Sequence, residues 1–107
     1  MNVQFKKGVL ELCVLALVKQ QDRYGYELVQ HISQQIEIAE GTVYPLLRRL
    51  TQEQYFQTYL QESDEGPPRK YYRLTDKGRE YLLQLQTEWL AFVKGVNVLL
   101  KGEDDDE

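Results

Sequence analysis

A chain of 107 residues has room for one hydrophobic core, and little for a second domain or a large catalytic cleft. Hydrophobic residues at 42% against 28% charged are ordinary for a soluble globular protein and too apolar for a wholly disordered one. The formal charge of −4 argues against a nucleic-acid partner only until its distribution is read. Glu103-Asp104-Asp105-Asp106-Glu107 holds five of the acids, and the other 102 residues carry 13 basic against 12 acidic groups.

Met1-Asn2-Val3-Gln4 opens without a signal-peptide pattern. The apolar run from Val9 to Val18 is broken by Glu11 and falls short of the ~20 residues a membrane span needs. A cytoplasmic protein that does not enter a membrane is expected, and the single Cys13, inside that run, reads as a small buried hydrophobe. Lys7 to Gln20 is apolar at nearly every position between Val9 and Val18, which predicts a helix buried on most of its circumference. In so short a chain this implies a partner subunit, with Leu10 at the contact.

Asp22 and Gly25 punctuate a turn, after which Tyr24, Leu28, Val29 and Ile32 predict a second helix from about Tyr24 to Gln35. His31 has no Cys or acidic cluster at ligand spacing and reads as a solvated helix residue, so no metal or cofactor is expected. Val43, Leu46, Leu47 and Leu50 form one face of a third helix from about Gly41 to Glu53. Pro45, Arg48, Arg49 and Gln52 then project on the opposite side, with Tyr44 at the margin. A proline belongs near a helix start. Either the helix begins close to Pro45, or it begins at Gly41 with a distorted first turn.

Tyr55 to Gln61 and Lys70 to Leu74 are rich in aromatic and β-branched residues and predict two strands. The turn-forming cluster Ser63 to Pro68 joins them into a hairpin, stiffened by prolines and edged by Arg69 and Lys70. Thr75 serves as N-cap for a last helix, along which Leu82, Leu85, Trp89, Phe92, Val96 and Leu99 make a heptad seam that needs another helix to bury it. The expected fold is mainly α with a β-hairpin: a winged helix-turn-helix DNA-binding unit over 1–75, a dimerisation helix over 76–102, and a disordered acidic tail over 103–107.

DNA affinity comes mainly from cations that neutralise phosphates, and sequence is read by side chains that reach base edges in the major groove. Arg48 and Arg49 suit bidentate contacts to guanine or phosphate, and Gln52 suits adenine. Thr42 and the Tyr44 hydroxyl can fix the helix on the backbone. Two adjacent arginines are by themselves equally a solvated helix face. Arg69 and Lys70, followed by Tyr71, add a second basic element on a stiff hairpin that loses less entropy on docking. Together the two elements favour double-stranded DNA, although fold alone does not establish function.

Leu10-Glu11-Leu12-Cys13-Val14-Leu15-Ala16-Leu17, Tyr24-Gly25-Tyr26-Glu27-Leu28 and Glu40-Gly41-Thr42-Val43-Tyr44-Pro45-Leu46-Leu47-Arg48-Arg49-Leu50 resemble the PadR regulators. Gly66-Pro67-Pro68-Arg69-Lys70-Tyr71-Tyr72 and Leu74-Thr75-Asp76-Lys77-Gly78-Arg79 extend that resemblance, in the same order, over roughly Lys7 to Leu100. It implies a homodimeric repressor that binds a pseudo-palindromic operator and is released by a small molecule, in the short subfamily with a single C-terminal helix. It also implies that Thr42, Tyr44, Arg48 and Arg49 approach DNA while the wing at Arg69 and Lys70 touches the backbone or minor groove. In short multidrug-binding members a tryptophan in the matching helix stacks flat aromatic ligands across the dimer, which makes Trp89, with Phe92, the candidate contact for a small aromatic effector. The alternative for both is an interface anchor.

An enzyme would need an activated nucleophile, an acid and base pair, a metal cluster or a phosphate-cradling glycine loop, and the sequence displays none of these. The remaining alternative is a winged-helix module that docks protein through the aromatic hairpin and the heptad helix, without binding DNA.

Overall fold

Apolar residues on every side of the middle of the first helix leave that stretch no solvent face, and no residue from Val9 to Val18 is exposed. This helix, α1 (Val3–Gln20), is the axle of the fold in a computed structural model that describes residues 3–102. Around it lie β1 (Arg23–Tyr24), α2 (Gly25–Ser33), a 3₁₀ turn (Glu40–Thr42) and α3 (Val43–Gln52). The hairpin of β2 (Phe56–Ser63) and β3 (Gly66–Leu74) follows, and α4 (Asp76–Lys101) ends the described chain. Leu10, Val14, Leu15 and Val18 of α1 meet Leu28 and Ile32 of α2, Val43, Leu47 and Leu50 of α3, and Phe56, Tyr72 and Leu74 of the hairpin in one core. The result is a winged helix-turn-helix with a long C-terminal helix. The acidic tail 103–107 lies outside the described residues.

Helix α3 resolves the position of Pro45. Thr42 stands at the N-cap and Val43 begins the α-helix, so Pro45 is its third residue, in the turn where backbone N–H groups have no intrahelical partner anyway. The tighter 3₁₀ turn before it occupies the two residues at which the longer helix was expected to start. At its other end α3 closes with the N–H of Gln54 bonded to Thr51 O and that of Tyr55 to Leu50 O, a reversal that requires left-handed backbone at the intervening residue. Gln54 adopts it, with φ 68°.

The hairpin differs from expectation in two ways. It is longer, because β2 runs on to Ser63 and β3 begins at Gly66, taking Pro67 and Pro68 into the strand. Proline is accommodated there because β3 is paired only with β2 over that stretch, and its other edge is open. It also acquires a third strand: Arg23 and Tyr24 pair antiparallel with Tyr72 and Tyr71, giving the sheet order β1-β3-β2. Two residues carry no readable alternation, which hid β1 in the sequence. Arg23 is only 6% exposed, and its guanidinium is satisfied without a carboxylate. Nε donates to Leu17 O at 3.0 Å and Nη2 to Gln20 Oε1 at 2.9 Å, while Nη1 lies 3.1 Å from His31 Nε2. This arginine closes the end of α1 over α2.

Helix α4 starts on a true cap, with Thr75 Oγ1 accepting from the Gly78 N–H at 2.9 Å and donating to Gln54 O at 2.7 Å. Gly78 is buried, and a Cβ there would run into the backbone oxygen of Tyr55 and lie 2.6 Å from Leu74 Cδ1, so only glycine allows this approach. The helix then leaves the core. Its 26 residues span about 39 Å, and the Cα radius of gyration of 16.4 Å exceeds the about 13 Å of a compact chain this size.

Candidate nucleic-acid interface

Helix α3 presents its polar side beside the wing. Val43, Leu47 and Leu50 are fully buried, Leu46 is half-buried, and Pro45, Arg48 and Gln52 are exposed. Tyr44 is half-buried and packs over Gly25, where a Cβ would lie 3.0 Å from its ring. The missing side chain lets α3 settle close against the start of α2. The half-buried Thr42 makes no side-chain cap bond.

Alternation along β3 decides which cations of the wing join this surface. Leu74, Tyr72 and Lys70 face the core side, opposite Phe56, Thr58 and Leu60 of β2. Tyr72 is buried, while Lys70 and Leu60 run past the core into solvent. The Lys70 ammonium lies 5.9 Å from the Tyr72 ring centroid. Burial pushes the Tyr72 hydroxyl above its ordinary range, the Tyr44 hydroxyl adds to this, and the nearby Arg48 charge opposes it. The charge of Arg48 on α3 and the Lys70 ammonium of the wing thus both act near Tyr72, a residue that sequence reasoning did not place in the site.

Arg69 and Tyr71 point to the other side of the sheet. There the Arg69 guanidinium sits 4.6 Å over the Tyr24 ring, Tyr24 leans on Tyr71 at 5.5 Å, and Tyr71 stacks on Tyr59 at 5.6 Å. Arg73 covers Tyr59 at 4.8 Å and its Nε donates to Asp22 Oδ2 at 3.2 Å, an oxygen that also accepts from the Tyr59 hydroxyl at 2.6 Å. Tyr71 is thus a rung in a ladder of rings and guanidinium groups that stiffens all three strands. Registering β3 by the residue parity of Leu74 and Tyr72 is the signal that separates Lys70 from Arg69 in the sequence.

Arg49 is exposed like Arg48, but unlike Arg48 its guanidinium is held by ion pairs. Its Nη2 lies 3.0 Å from Glu11 Oε1 on α1 and its Nη1 3.1 Å from Glu53 Oε2 one turn further along α3. The helical wheel places it outward, and its long side chain bends toward the half-buried Glu11 carboxylate while staying exposed. The same Glu11 Oε1 accepts from the Tyr81 hydroxyl of α4 at 2.8 Å. Burial and that carboxylate push the Tyr81 hydroxyl well above its usual range, so it stays a donor at any neutral pH.

The expected dimerisation residues divide in the same way. Leu10 and Leu82 are 1% and 3% exposed within their own chain, so they have no surface left for a partner. Leu85, Trp89 and Val96 are half-buried, and Phe92 and Leu99 are exposed. Leu85, Trp89 and Phe92 line a cavity of about 350 Å3 with Gly8, Val9 and Leu12 of α1 and with Glu88. A second apolar row, Leu83, Leu90 and Val98, is exposed on roughly the opposite side of α4 and was not read from the seam. Cys13 is half-buried, and desolvation raises its thiol pKa. No helix among the described residues is long and apolar enough to cross a membrane.

The model of the transcriptional regulator PadR-like family matches residues 14–84 of this sequence, the span that holds the helix-turn-helix, the wing and the first turns of α4. The chain belongs to the PadR-like family. A PadR-like transcriptional regulator of known structure from Bacillus cereus strain ATCC 14579 is 42% identical, with a TM-score of 0.84 over 94% of this chain and 99% of the other. A protein of known structure from Streptococcus mutans UA159 is 38% identical, with a TM-score of 0.84 over 90% of each chain. An uncharacterized protein from Lysinibacillus sphaericus is 34% identical over 90% of this chain and 92% of its own length. As a PadR-like protein this chain is a DNA-binding transcriptional regulator, and the family does not consist of enzymes.

Proposed function

We propose that this PadR-like protein is a cytoplasmic homodimeric repressor that reads a pseudo-palindromic operator with α3 and clamps it with the wing. The observation that carries the reading is that Arg48 on α3 and Lys70 on the core-facing side of the wing are both exposed cations from different elements, Lys70 lying 5.9 Å from the Tyr72 ring centroid and Arg48 close enough for its charge to act on the same tyrosine. Arg48 and Gln52 enter the major groove. Thr42, Tyr44 and Pro45 seat the start of α3 on the phosphate backbone, Lys70 neutralises an adjoining phosphate, and Arg69 reaches the backbone from the far face of the wing. Residues 1–75 form the reading unit and 76–102 the dimerisation helix.

Support for the dimer comes from α4, where Phe92 and Leu99 of the seam remain 54% and 83% exposed in the single chain. Pairing two copies along this helix covers them and sets the half-sites about one helical turn, ~34 Å, apart. The cavity beside Trp89 and Phe92, at about 350 Å3, suits a small flat aromatic effector, whose binding between subunits releases the operator. Footprinting of the purified protein on the region upstream of its own gene, at low salt, tests the reading. Protection of two symmetric half-sites is expected, and uniform cleavage at every protein concentration would refute it.

A further inference from the structure

Arg49 carries the unexplained charge of α3. Both ends of its guanidinium fork are occupied, Nη2 by Glu11 and Nη1 by Glu53. A phosphate brought to Arg49 would meet two carboxylates, whereas Arg48 makes no ion pair or hydrogen bond among the described residues. Glu11 is the more telling partner, because its side chain is only 12% exposed and its single oxygen Oε1 bonds both Arg49 of α3 and Tyr81 of α4. The connection is reinforced beside it. The ring of Tyr55, just past the end of α3, stacks on Tyr81 at 4.2 Å with 10° between planes, and Lys77 of α4 donates to Glu53 O at 3.0 Å.

We propose that Arg49 is a positioning residue rather than a DNA contact: through Glu11 Oε1 it fixes the angle between α3 and α4, and thereby the spacing at which two copies present their reading helices. The inference rests on the DNA-binding dimer proposed above. Its physical basis is that a short charge-assisted bond shared by three helices resists relative rotation more than apolar packing alone. A change transmitted along α4 then reaches α3 directly.

The test uses the full chain and DNA duplexes that the wild-type protein selects from a random pool. Affinity is measured over a salt series for wild type, Arg49→Ala and Tyr81→Phe, on the selected duplexes and on versions with one base pair inserted between half-sites. Tyr81→Phe keeps the ring stack and removes only the hydroxyl bond. Both variants are expected to bind the selected duplex about tenfold more weakly, to lose the preference for selected over inserted spacing, and to keep the wild-type salt slope. A slope lowered by about 0.9 in Arg49→Ala means a lost phosphate contact and overturns the proposal. Wild-type spacing preference in Tyr81→Phe overturns it as well. If the wild-type protein enriches no sequence, the DNA reading itself fails and this inference falls with it. Enrichment by wild type with a lowered slope in Arg49→Ala sinks the linkage alone.

Discussion

Arg48 and Arg49 are neighbours of the same type on one helix, yet one faces solvent beside the wing and the other lies between two carboxylates. A long flexible side chain goes where a counter-charge holds it, and while Glu53 is a local i,i+4 partner, the other partner of Arg49, Glu11, stands on α1, beyond the reach of any local pattern. Arg48→Ala should weaken operator binding by about 1–3 kcal/mol and relax preference at one base pair if the contact is to guanine, as read by fluorescence anisotropy on operator variants. Gln54 offers a test of stability rather than binding. It holds φ 68°, a conformation that costs a residue with a Cβ roughly 1–2 kcal/mol. Gln54→Gly should therefore raise unfolding free energy by about 0.5–1 kcal/mol after the glycine's extra unfolded-state entropy is subtracted, visible as a higher midpoint in thermal denaturation.

At the scale of elements, periodicity made the helices and the hairpin legible, because α1 and α3 each state how much of their circumference is apolar. Period-two alternation counted back from Leu74 and Tyr72 also sorts the wing, but the extent of the strands was hidden in the sequence. Pro67 and Pro68 looked like turn residues and are strand residues, and the two-residue β1 has no period at all. Since Lys70 faces the α3 side, Lys70→Ala should lower the salt dependence of binding by about 0.9 in slope while weakening all sequences alike. A changed sequence preference would contradict its assignment to a phosphate. The junction between wing and α4 is equally specific. Gly78→Ala forces a methyl against Tyr55 O and Leu74 and should cost about 1–3 kcal/mol in urea denaturation.

At the scale of the whole molecule, the heptad spacing lies along α4, a helix that runs on beyond the core, and its first residue, Leu82, belongs to the core of its own chain. A seam read from one sequence cannot separate contacts within a protomer from contacts between two, since both demand apolar residues at the same spacing. Trp89 stands where the seam leaves the core, so Trp89→Asp should convert a dimer to monomers in light scattering and, through lost avidity, abolish operator binding. A dimer that survives this change would remove the seam from the interface. The open edge of β3 has a further consequence for assembly. An unpaired strand edge invites a neighbour's strand to extend the sheet. Along Gly66 to Lys70, two residues are prolines with no N–H to offer and the last two carry positive charge. Prolines and charge along this stretch thus keep the wing from recruiting another wing.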